Sequence, residues 1–150
     1  MLGVVALGNP LRRDDGLGVR VLESLRERDL PDDVELYDAG TGGMRVIHKL
    51  ADVDDAILID VVRFGGEPGE FVWFSPDEVE SIREEGGSHN PNLFEAIELS
   101  RRLDEAPDRV ACLGVQPEDL SVGEDLSDPV EAAIPELLDS IETKIETLAG

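Results

Sequence analysis

The 150-residue chain is poor in lysine, cysteine, histidine and aromatic side chains, and each shortage removes a class of function. A single cysteine, Cys112, excludes an internal disulfide framework and a multi-cysteine zinc site, and it fits a reducing compartment. No apolar run approaches the roughly 20 residues of a membrane helix, so no membrane insertion is expected. The N-terminus shows no basic region followed by a cleavage site, which adds the expectation of a cytoplasmic location. Positive charge is scarce as well. Thirteen Lys and Arg stand against 35 Asp and Glu, a net charge of −22, and only Lys49 and Lys144 are lysines. Such a surface repels nucleic acid and anionic membranes. The acid is spread along the chain, as in "RRLDEAPDR" and "EDLSVGEDLSDPVE", and most of it reads as a solvated face. Acidity with so little lysine also suits a salt-rich cytoplasm, where screening relieves self-repulsion.

What is present is an adequate core and a regular alternation. With 41% apolar residues the chain is expected to form one domain, 1–150, burying roughly 70% of the surface its unfolded form exposes. "LGVVAL" (2–7) is short and β-branched, and residues 16–28 then place Leu17, Val21, Leu22 and Leu25 at helical spacing. "DVELYDA" (33–39) reads as a strand before "GTGG" and the helix candidate "MRVIHKLAD". "DAILIDVV" (55–62) is nearly continuous apolar, as a strand buried on both faces should be. "PGEFVWFS" (68–75) alternates like an edge strand, and "NLFEAIELSRRL" (92–103) is an amphipathic helix with Pro91 suited to its first turn. "DRVACLGV" (108–115) is a further strand, and 128–148 a closing helix that Pro135 is expected to bend or split. The order predicts an α/β fold: a three-layer sandwich, its twisted sheet mostly parallel, with helices on both faces. Ligands bind such sheets beyond the strand C-terminal ends, where the unusual chemistry of this chain also lies.

Asp14 and Asp15 are adjacent, although like charges repel. An Asp at a helix N-cap accounts for one of them and leaves the other free to face the groove above the first strand. Asp60 closes the apolar run "AILID", where it either emerges into solvent or stands at the ligand edge of the sheet. His89 lies in the polar loop "GGSHNPNL", whereas His48 sits inside a helix and reads as structural. Together Asp15, Asp60 and His89 make a two-carboxylate, one-imidazole set of the kind that suits zinc or nickel, although no short ligand motif ties them. "GTGG" (40–43) lacks the lysine of a phosphate loop and reads as a turn that lets another backbone approach. Cys112 in mid-strand reads as a small buried hydrophobe, and no Gly-x-Ser-x-Gly is present, which disfavours a covalent hydrolase.

Five blocks in order resemble the hydrogenase maturation endopeptidases, which trim a C-terminal extension from the large subunit of nickel–iron hydrogenases. "GNPLRRDDGLG" resembles that family's Gly-Asn-x-Leu-x-x-Asp-(Asp/Glu)-Gly-x-Gly. "DAGTGG" is similar to its Asp-Gly-Gly-Thr loop, with Ala39 replacing a glycine, and "DVVRFGGEPG" to its Asp-Ala-Val-x-x-Gly-x-x-Pro-Gly, with Val61 in place of Ala. "SHNPNLFEAIEL" resembles its Ser-His block before a helix, and "LGVQPEDLSVGEDLS" its Gly-Ile-Gln-Pro segment.

The resemblance implies a metal-recognition site of Asp15, Asp60 and His89, with Asp14 capping the helix or orienting its neighbour. Asp38 becomes a lesser candidate for influencing cleavage, and Gly40, Thr41, Gly42 and Gly43 would line the path of the substrate tail. The implied partner is a nickel–iron hydrogenase large-subunit precursor. The implied nickel is carried by that precursor, with zinc or cadmium able to replace it in vitro. Three other readings stay open at this point: a same-fold peptidase with another substrate, a non-catalytic nickel-sensing maturation chaperone, and a nucleotide-binding α/β domain. The last would need the glycine loops to hold phosphate amid acid.

Overall fold

The computed structural model describes residues 1–41, 43–86, 92–103 and 107–149. Five strands form one sheet: β1 (Leu2–Leu7), β2 (Val34–Gly40), β3 (Asp55–Val61), β4 (Phe71–Phe74) and β5 (Arg109–Val115). Their spatial order is β2-β1-β3-β5-β4, parallel throughout except for β4, which runs antiparallel to β5 at the edge. Every residue of β1 is buried, as are the last six of β3, which is why both read as apolar runs without alternation.

The side chains divide between two faces. Val4, Ala6, Ile57, Ile59, Leu113 and Val115 meet helices α1 (Leu17–Arg26) and α5 (Asp128–Ala149). Val5, Leu7, Ala56, Leu58 and Cys112 meet α2 (Gly43–Asp52), α3 (Val79–Gly86) and α4 (Asn92–Arg102). These are the three layers expected. The first crossover steps outward from β1 to β2 through α1, and the second returns past β1 to β3 through α2. A right-handed connection in each direction puts the two helices on opposite faces. The chain therefore reverses direction between β1 and β3, and the C-terminal ends of those two strands flank the switch point.

Two details differ from expectation. Pro135 does not split the closing helix: it lies inside the single helix α5. Pro135 and Glu131, the residue whose carbonyl a prolyl nitrogen cannot serve, are both exposed, so the missing bond falls on the solvent side of the helix. Helix α3 was not anticipated. It follows a 3-10 turn, Pro76–Glu78, opened by a capping box in which Ser75 N donates to Glu78 Oε1 at 3.0 Å. The expected N1 position of Pro91 lies outside the described residues.

Candidate active site

The first block turns the chain sharply. Gly8 has φ +130°, and a Cβ built there would lie 2.0 Å from the carbonyl oxygen of Asp15, so only glycine lets these backbones touch. Its N–H donates to Gly40 O at 2.9 Å, joining the β1–α1 and β2–α2 connections. Asn9 N donates to Asp15 Oδ2 at 2.9 Å, and Leu11 N donates to Asn9 Oδ1 at 2.9 Å. A 3-10 turn, Arg13–Gly16, then leads into α1.

The adjacent carboxylates are separated by their partners. Asp14 caps no helix: the N-cap of α1 is Gly16, with no side-chain cap bond. Asp14 is instead fully buried and accepts Glu118 N at 2.8 Å, Asp119 N at 2.9 Å, and both Ser127 N at 2.7 Å and Ser127 Oγ at 2.9 Å. It ties the β5–α5 connection to the β1–α1 turn, and four donors compensate the buried charge. Asp15 is left to the other side, half-buried, with its charge felt by Asp60.

Asp60 is 3% exposed on β3. Val61 N donates to its Oδ1 at 2.8 Å, and Leu93 N, in the first turn of α4, approaches its Oδ2 at 3.4 Å. Burial, followed by the charge of Asp15, pushes its pKa up to about 8 against the pull of those two N–H groups. No ion pair reaches Asp60 among the described residues. Asp15 and Asp60 thus form a carboxylate couple at the switch point, one member of which holds a proton near neutrality.

The remaining candidates fall into three groups. Asp38 is exposed and accepts Gly40 N at 2.9 Å; with Gly40 (φ +60°), exposed Thr41 and Gly43 at the start of α2 it borders the same edge. His89 and Gly42 lie outside the described residues. His48 stands on the exposed face of α2, and Cys112 is buried in β5, where burial pushes its thiol up to about 12. A thiol so placed is no nucleophile.

Gln116 escaped notice as a positioning group. Its Oε1 accepts Phe64 N at 2.9 Å and Gly66 N at 3.2 Å, its N–H donates to Glu70 O at 2.8 Å, and its carbonyl accepts Gly69 N at 2.9 Å. One buried residue therefore pins the whole connection that leaves Asp60 for β4. Its sequence signals are an amide directly after an apolar strand and its place in the "LGVQPEDLSVGEDLS" block, neither of which names its partners.

Comparison with known proteins places the chain by its sequence and fold. The profile of the hydrogenase maturation protease family matches residues 19–144. The Hydrogenase 2 maturation protease of Escherichia coli (strain K12) is 33% identical over 141 residues, covering 92% of this chain and 86% of that one. The coenzyme F420 hydrogenase subunit delta of Methanothermobacter thermautotrophicus is 35% identical over 147 residues, covering 92% and 90%. Among solved structures, the hydrogenase maturating endopeptidase HybD of E. coli superposes with a TM-score of 0.83 at 30% identity, covering 97% of this chain and 92% of that one. On sequence and fold together, the chain belongs to the hydrogenase maturation protease family.

Proposed function

We propose that this protein is an endopeptidase that removes the C-terminal extension of a nickel–iron hydrogenase large-subunit precursor after nickel insertion, with Asp15, Asp60 and His89 recognising the ion. The observation that carries the reading is the Asp15–Asp60 couple, two carboxylates converging at the switch point with no cation paired to Asp60 among the described residues. Two carboxylate oxygen donors and an imidazole fit nickel, and zinc or cadmium in its place in vitro. The nickel belongs to the substrate, and it supplies a positive charge beside Asp60, which no ion pair reaches among the described residues. Asp60 exchanges its proton for that charge, so a metal-free precursor meets a neutral carboxyl and a loaded one meets a ligand.

The chain's own groups do the positioning. Asn9 N holds one oxygen of Asp15, Val61 N holds one of Asp60, and Gln116 fixes the adjoining loop. Asp38 and the stretch Gly40, Thr41, Gly42 and Gly43 line the approach of the substrate tail. Holding a scissile segment in register beside a fixed ion lowers the entropic part of the barrier and polarises a carbonyl or a water. On this reading the protein works in a cytoplasm, rich in salt to suit its acidity.

The test is processing of the large-subunit precursor at high salt, read by intact mass, with nickel inserted and without. A discrete C-terminal loss only in the nickel-loaded sample is expected, and Asp15→Ala, Asp60→Ala and His89→Ala should each abolish it. An unchanged mass in both samples refutes the protease reading. Full activity in any one variant removes that residue from the site.

A further inference from the structure

Exposed apolar side chains are ordinary when scattered. Leu11 and Val122 are not scattered: they are 58% and 83% exposed, and the backbone holds them together. Gly123 N donates to Leu11 O at 2.9 Å and Arg13 N donates to Gly123 O at 2.9 Å. These bonds form an isolated parallel bridge between Arg12 and Gly123, which brings the backbone of Leu11 alongside the Val122–Gly123 peptide.

The support beneath this pair is unusually heavy. Arg13 adopts φ 42°, a left-handed conformation that no other non-glycine takes among the described residues. Arg12 Nε donates to Leu120 O at 3.1 Å, and Arg13 Nε lies 3.6 Å from Asp119 Oδ2. In a chain with 13 cationic side chains, two are therefore committed to these loops. The buried Asp14 staples the same two connections from inside. An apolar pair held on a strained, well-tied backbone is a presented surface, since a mere connection would need none of this.

We propose that the Leu11–Val122 ridge is a docking surface for the folded body of the hydrogenase precursor, gripping an apolar depression flanked by Arg and Lys side chains. This rests on the protease reading, and two observations select the occupant. The ridge grows from the turn that carries Asp15, whose N–H donates to Arg12 O at 3.0 Å, so a body docked on the ridge is anchored to the same turn as one member of the carboxylate couple. Exposed Glu118, Glu124 and Asp125 sit on the same β5–α5 connection and form no ion pair among the described residues, which calls for basic groups opposite. A second copy of this chain, at −22, brings the same acidic rim and is repelled.

The test is the affinity for nickel-loaded precursor, by biolayer interferometry at low and high salt, of wild type, Leu11→Ser/Val122→Ser and the control Leu103→Ser. Leu103, 50% exposed just past α4, lies elsewhere on the surface. The double variant should bind at least about tenfold more weakly at both salts while the control stays at the wild-type value. Because the ridge bonds are main-chain bonds, circular dichroism and melting of the double variant should match wild type. Equal affinity of the double variant overturns the proposal, as does a wild type that does not bind precursor. A wild-type dimer that dissociates in the double variant, with precursor binding intact, gives the ridge to a second copy and also overturns it. Cleavage by wild type, scored separately by mass, judges the protease reading: binding through the ridge without cleavage keeps the ridge and sinks that function.

Discussion

Replacing Asp60 by asparagine separates its charge from its shape. The carboxyl is buried, and burial together with the charge of Asp15 raises its pKa from 3.8 to about 8. Between those values the folded protein keeps a proton that the unfolded chain has released. Stability from this group is therefore intact below the unfolded pKa and is lost as pH rises toward and through the folded one. The slope reaches about 1.4 kcal/mol per pH unit, opposite in sign to that of an ordinary ion-paired carboxylate. From about pH 5 to about pH 8 the loss comes to about 3 to 4 kcal/mol.

Asparagine has no proton to lose and its Oδ1 still accepts Val61 N, so Asp60→Asn should lack this component. The two proteins share all their other titrating groups, so the difference between their stability curves reports Asp60 together with its coupling to Asp15. Urea denaturation in concentrated salt, with a chelator present, across that pH range is the assay. The variant should gain on wild type by about 3 to 4 kcal/mol between the two ends. Parallel curves, differing by less than about 0.5 kcal/mol, would refute the claim that Asp60 is held protonated by burial and by Asp15.

Three further outcomes follow from the same geometry. Asp14→Ala leaves the N–H groups of Glu118, Asp119 and Ser127 without their acceptor and should cost about 3 to 5 kcal/mol in urea denaturation; a loss below about 1 kcal/mol would show that water replaces the carboxylate. Gly8→Ala drives a Cβ into the Asp15 carbonyl at φ +130°, so melting should fall by an amount equivalent to about 3 kcal/mol or more, and a wild-type melting curve would contradict the contact. Cys112, buried with its thiol pushed up to about 12, should resist iodoacetamide at neutral pH in the native protein and react fully in urea. Rapid native labelling would mean that β5 opens.

What could be read from the sequence, and what could not, divides along a physical line. Strands β1, β3 and β5 announce themselves because burial on both faces demands continuous apolar runs, and α1 because its buried face repeats at helical spacing. Helix α3 buries little, so its start was legible only in the Ser75–Glu78 capping box. Asp60 was legible as a candidate because a charge at the end of a buried strand conflicts with its surroundings. Asp14 was not. Its partners are main-chain N–H groups and a serine 104 to 113 residues away, and an N–H donor exists at almost every position, so no residue type records the pairing. The same holds for Gln116, whose side-chain oxygen serves two main-chain donors 50 and 52 residues back. A side chain that recruits backbone leaves its mark only on itself. Capping then becomes the natural inference for an aspartate before a helix, since it needs no knowledge of distant chain. The double acid is better explained by topology. Its two carboxylates stand where the β1–α1 turn meets both the β5–α5 connection and the end of β3, so one accepts from loop N–H groups while the charge of its neighbour is felt by Asp60.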